Sequence, residues 1–114
     1  MKYKLTQNTK IVDGITLYQI QALKDFDAVK AGDLGGWIAK ESNLSHDGTA
    51  WVSGDAVVFG TARVSGNAWV YGNARVSGTA VVSGNARVYG NAVVSGNAVV
   101  SGNAWVYGED EDEK

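Results

Sequence analysis

The chain has 114 residues, with no cysteine, no proline, 15 glycines and a formal charge of −2. That length suits one small domain. No apolar run is long enough for a membrane-spanning helix or a signal peptide, and the lack of cysteine fits a reducing compartment, so a cytoplasmic protein without a membrane partner is expected. The charge is unevenly placed. Residues 109–114 hold five acids and one lysine, −5 + 1 = −4, which leaves +2 on residues 1–108.

Residues 1–23 predict a β-hairpin. Ile11-Val12 and Ile15-Thr16 flank Asp13-Gly14, a two-residue turn favoured between antiparallel strands, and Leu17, Tyr18 and Ile20 continue the second arm. Residues 24–35 read as a loop, with room for a short helical turn around Asp25 to Val29. Together residues 1–35 are expected to cap one end of the remaining chain, because a stack of strands must cover its terminal edges.

From Gly48 to Gly108 one six-residue unit repeats ten times without a break. It runs Gly, then Asn, Thr or Asp, then Ala, a variable residue, Val, and Ser, Tyr or Phe. A strict short period marks a solenoid, in which each unit contacts its neighbours and the core forms by stacking. Within the unit, Gly, Ala and Val alternate with polar or bulky residues, which is a strand signal, and the Gly-Asn or Gly-Thr pair supplies a corner. Residues 36–47 thread into the same register as degenerate units. That threading puts Ile38 and Leu44 at the Ala position and Lys40 and His46 at the inward Val position, a costly arrangement that predicts a distorted first coil. The expected organisation is a cap over 1–35, a β-helix over 36–108 that is strict from 48, and an acidic tail over 109–114.

An aliphatic residue followed four positions later by a small one, as in Val52 then Ala56 through Val100 then Ala104, resembles the hexapeptide-repeat proteins. Those fold as left-handed parallel β-helices, so an all-β, left-handed parallel β-helix with an N-terminal hairpin cap is expected. The family often places Gly directly after the aliphatic residue; here Ser, Tyr or Phe stands there and Gly comes one later. The segments D-L-G-G-W-I and N-L-S-H-D-G ahead of the repeats also resemble small phage and prophage proteins. The family resemblance implies three units per triangular coil and association of subunits, commonly as trimers.

Stacking the units by threes sorts their outward residues into three faces. The first collects Trp51, Trp69, Arg87 and Trp105, with Tyr71, Tyr89 and Tyr107 at its corner. At the strand spacing of about 4.8 Å these can stack, with Arg87 between two indoles. The second carries Val57, Arg75 and Val93 with Phe59; the third carries Arg63, Val81 and Val99 above a serine column. Contiguous aromatic surface on a soluble protein marks interfaces, and Trp, Tyr and Arg dominate hot spots. Residues 51, 69, 71, 87, 89, 105 and 107 are therefore the candidate binding residues. The expected partner is a second copy of the chain, with a host protein or a nucleotide as the alternative. The three repeat arginines are too sparse for a nucleic-acid duplex.

For chemistry the sequence offers little. The resemblance implies acyl transfer with a histidine base at a site between subunits, and His46 is the one histidine. It stands between Ser45 and Asp47, but adjacent residues of a strand point to opposite faces and do not make a triad. No metal-ligand spacing and no phosphate-cradling motif occurs, so neither a metal nor a cofactor is expected. On this reading the chain is a non-enzymatic, self-associating binding or structural module. A counter-defence protein that captures a host signal, and a diverged acyltransferase, are the alternatives.

Overall fold

The computed structural model describes residues 1–108; the acidic stretch 109–114 lies outside the described residues. The repeat folds as its alternation requires. Each unit contributes one short strand, and every third unit stacks in register.

Three sheets result. In one, β4 (Trp51–Val52), β7 (Trp69–Val70), β10 (Arg87–Gly90) and β13 (Trp105–Gly108) lie side by side, all parallel. In a second, β6 (Arg63–Val64), β9 (Val81–Val82) and β12 (Val99–Val100) do the same. The third holds β5 (Val57–Val58), β8 (Arg75–Val76) and β11 (Val93–Val94), extended at one end by β3 (Leu34–Ile38), β2 (Ile15–Ala22) and β1 (Tyr3–Val12). The chain is a parallel β-solenoid of about four coils.

Backbone and corners explain why so small a unit suffices. Each coil donates to the next: Trp51 N–H reaches Ala68 O at 3.0 Å and Ser53 N–H reaches Val70 O at 2.9 Å. At the corners Gly48 through Gly102 sit at φ between 64° and 71°, the left-handed region open to glycine. They also stack on one another, so that a Cβ on Gly66 would meet Gly84 N at 3.0 Å. The Asn residue after each of several of these glycines adds an exposed amide ladder, Asn67 Nδ2 to Asn85 Oδ1 at 3.3 Å and Asn85 Nδ2 to Asn103 Oδ1 at 3.2 Å. Inside, the alanines from Ala50 to Ala92 and the valines from Val52 to Val94 form one buried column. On the last coil Ala98 and Ala104 are exposed.

The hairpin forms around Asp13-Gly14, both at positive φ (54° and 79°), with Val12 opposite Ile15. β2 pairs antiparallel with β3, and β3 pairs parallel with β5, so the hairpin continues the second face. It also folds onto that face: Leu17 is buried with Val57 and Phe59, flanked by Val12, Ile15 and Trp37. Asp13 at the tip meets Arg75 at 3.5 Å. Residues 25–29 hold no helical turn. Phe26 and Val29 form an isolated antiparallel bridge, with Asp27 at φ 49°.

The register of the first coil differs from the threading. Ile38 pairs with Val58 and Leu44 with Val64, so both occupy the Val layer, not the Ala layer. The cause is two extra residues between Leu44 and Val52, which are eight apart where the hexad would allow six. Lys40 is exposed and His46 is partly exposed, so neither occupies the inward Val position. The distortion falls on a short 3₁₀ turn, η1 (Glu41–Asn43).

Candidate functional site

The aromatic column exists as a register. Trp51 pairs with Trp69, Trp69 with Arg87, and Arg87 with Trp105. Its two ends behave differently. Trp51 is only 2% exposed, because Phe26 meets its ring edge-on at 5.2 Å and Tyr3 at 6.4 Å. The N-terminal segment thus removes Trp51 from the accessible face. Trp69 and Arg87 are half-buried, and Trp105 and Tyr107 are 64% and 58% exposed. The Arg87 guanidinium lies 5.7 Å from the Trp105 ring centre, and among the cation–aromatic pairs it has that ring and not Trp69. Among the described residues the buried Trp69 Nε1–H has no hydrogen-bond partner.

At the corner Tyr71 and Tyr89 are stacked, centroids 5.2 Å apart and 6° from parallel, and Tyr107 lies beyond at 5.0 Å, tilted by 45°. The inner ring faces cover each other. What the column offers a partner is its edges and the outer faces of Trp105 and Tyr107.

A second cluster forms where the N-terminus meets the first coil, and most of it has no signature in the sequence. Lys2 is fully buried. Its Nζ donates to Ala50 O at 2.6 Å and lies 5.1 Å from the Phe26 ring centre. Burial, with Lys24 adding to it and Asp47 opposing, lowers its pKa to about 8. The Tyr3 hydroxyl, also buried, donates to Leu44 O at 2.6 Å, and burial followed by the Glu41 carboxylate pushes its pKa up. Asn43 turns inward. Its Oδ1 accepts from the N–H groups of Ala39 and Lys40, both at 3.0 Å, and its Nδ2 donates to Ala62 O at 2.8 Å.

His46 sits in this cluster, stacked on Tyr3 with centroids 4.1 Å apart and 10° between planes. Its Nδ1 accepts the backbone N–H of Lys2 at 3.2 Å, which places the ring proton on Nε2, 3.1 Å from Glu41 Oε1. Ser45 and Asp47 do not join it; Ser45 Oγ accepts the Asp47 N–H at 3.0 Å. Beside His46 opens a groove of about 350 Å³ lined by Glu41, Ser42, Ser45, His46, Arg63 and Val81, among others. Position and spacing along the sequence could not reveal this groove, since it lies at the irregular first coil, where Asn43 is buried and the repeat does not hold.

Comparison with known proteins agrees with the fold. Residues 62–84, 80–96 and 94–108 match the family described as YdcK beta solenoid repeat. The chain is also similar to the "Uncharacterized acetyltransferase YdcK" of Escherichia coli (strain K12), with 37% identity over 73 residues. The match covers 56% of this chain and 22% of that protein, so the chain spans about a fifth of the relative's length. This finding overturns the expectation of a non-enzymatic chain drawn from the sequence: a relative within the same repeat carries an enzyme's name. The sequence reading failed there because it weighed His46 only beside Ser45 and Asp47, and adjacent residues of a strand do not make a triad.

Proposed function

From the premise that these repeats fit a β-helix repeat family, we propose that the chain is a self-associating solenoid whose contact surface is the aromatic column from Trp69 to Tyr107. One observation carries this reading: Trp105 and Tyr107 stand 64% and 58% exposed in line with half-buried Trp69, Arg87 and Tyr89. Large aromatic side chains so placed favour burial by a partner. The second face suits this less, because the hairpin already covers Val57 and Phe59. A trimer is the assembly that the resemblance to hexapeptide-repeat proteins supports. If the chain has a phage origin, a host protein is the other occupant of the same surface. A host nucleotide signal would have to use the outer faces of Trp105 and Tyr107, since Tyr71 and Tyr89 leave no gap for a base.

Native mass spectrometry of the protein purified from its host tests this, because it reports stoichiometry and any retained ligand together. Wild type is expected as a trimer, and a Trp69→Ala, Arg87→Ala, Trp105→Ala variant as a folded monomer. A wild-type monomer without ligand at micromolar concentration contradicts the reading.

Acyl transfer is the second reading, favoured by the name of the relative and by the groove at His46. The chemistry would run through Nδ1. Glu41 holds the Nε2–H, and Nδ1, once it gives up the Lys2 N–H, can take a proton from an acceptor hydroxyl or amine. His46→Ala should then abolish any transfer activity detected; unchanged activity sinks this reading.

A further inference from the structure

We propose that the groove beside Arg63 is a binding site for a small molecule bearing an oxyanion, carboxylate or phosphate. The site arises from what Asn43 does. The pairing of Leu44 with Val64 sets Asn43 opposite Arg63, where an ordinary coil would carry an outward side chain. Asn43 is instead buried and donates to Ala62 O and, at 3.3 Å, to Gly60 O. The outward place above Arg63 is left open, and the groove fills it.

The three repeat arginines make the contrast. Arg75 is held by Asp13, and Arg87 lies over Trp105. Arg63 is exposed, and among the described residues no carboxylate lies within ion-pair distance of it. A guanidinium at the wall of a groove is a fork suited to two oxygens of one anion. Ser42, Ser45 and Ser65 line the same groove. Ser45 Oγ accepts the Asp47 N–H and donates to Asp47 O only at 3.5 Å, a long bond that a nearer oxyanion can replace. Val81 supplies an apolar wall. Glu41, engaged by His46, also lines the groove and disfavours a second negative charge beside it, so the oxyanion belongs at Arg63. This inference shares the groove with the acyl-transfer reading but needs no transfer; it stands on Arg63, not on His46.

Acetate and inorganic phosphate are the probes, each titrated at constant ionic strength against the full chain while backbone amide resonances are tracked. Saturable shifts at residues 42, 45, 63 and 65 are expected with at least one probe, and which probe binds tells carboxylate from phosphate. Arg63→Gln should weaken binding at least tenfold, Arg63→Lys by less, and Arg75→Gln not at all. His46→Ala should retain binding even where it removes a transfer activity, so the two ideas fail separately. Shifts that never saturate, that persist in Arg63→Gln, or that appear equally around residues 75 and 87 would overturn the proposal.

Discussion

The strict repeat and the N-terminal region solve one problem in opposite ways. From residue 48 onward each coil but the last satisfies its backbone by donating to the next, and the core they share is built on alanine and valine. The side chains that hold it are interchangeable. At the N-terminal end the first coil has no preceding coil, and single residues take over. Lys2 Nζ answers Ala50 O, the Tyr3 hydroxyl answers Leu44 O, and Asn43 answers Ala62 O and two N–H groups. A repeat can thus be specified by periodicity, whereas its end demands particular residues. Those residues are where a groove and a histidine site arise.

If that contrast is right, substitutions in the two regions should fail differently. The largest effect is expected for Asn43→Ala. It takes the partner from the Ala62 and Gly60 carbonyls and from the Lys40 N–H, while Ala39 N–H keeps Val58 O at 3.1 Å, and a loss of about 3–4 kcal/mol in urea unfolding is expected. A loss below about 1 kcal/mol, the worth of one ordinary hydrogen bond, would mean that water replaces the amide and the end is not specific.

Lys2→Met comes next, and its signature is pH dependence. The folded-state pKa of Lys2 is lowered to about 8 from 10.5. Between those values the unfolded chain binds more protons at this site than the folded one, so its contribution to stability rises with pH across that window and is absent below it. The total is at most about 3 kcal/mol. The wild type should gain stability from pH 8 to pH 10.5 relative to Lys2→Met. Parallel curves for the two proteins would show that Lys2 is solvated.

Within the repeat, paired glycine substitutions sharpen the comparison. Gly66 and Gly96 share a positive φ (66° and 64°), yet a Cβ at Gly66 meets Gly84 N at 3.0 Å while at Gly96 nothing among the described residues lies within 4 Å. Gly96→Ala should cost about 1–2 kcal/mol from backbone strain alone. Gly66→Ala should cost more, measured by the thermal midpoint of each. Equal costs would show that stacking of the corners is unimportant. The smallest effect belongs to Asp13→Asn. Both partners of the Asp13–Arg75 pair are well exposed, and a change under about 0.5 kcal/mol is expected.

How far the sequence reached obeys the same division. Val52, Ala56 and their successors announced the solenoid through the period, and sorting the units by threes put Trp69, Arg87 and Trp105 in one column, as the strand pairing has it. Asp13-Gly14 announced the hairpin through its turn chemistry. Periodicity carried the threading too far, however. It could not see the two extra residues after Leu44, which move Leu44 from the Ala layer to the Val layer. Nor could it see that Phe26 and Tyr3 return across the chain to bury Trp51, or that Leu17 covers Val57, because such contacts are non-local and have no period. The His46 cluster was missed for the same reason: Lys2, whose N–H meets His46, lies 44 residues away along the chain.

The central claim, that copies meet through the aromatic column, can be tested within one molecule. Val93, Val99, Trp105 and Tyr107 lie on the same last coil and are 64%, 67%, 64% and 58% exposed in the single chain. Hydroxyl-radical footprinting, read residue by residue and corrected for intrinsic reactivity, compares them directly. Protection of Trp105 and Tyr107 with continued oxidation of Val93 and Val99 is the predicted result. Oxidation of all four residues in proportion to their exposure in the single chain would contradict it.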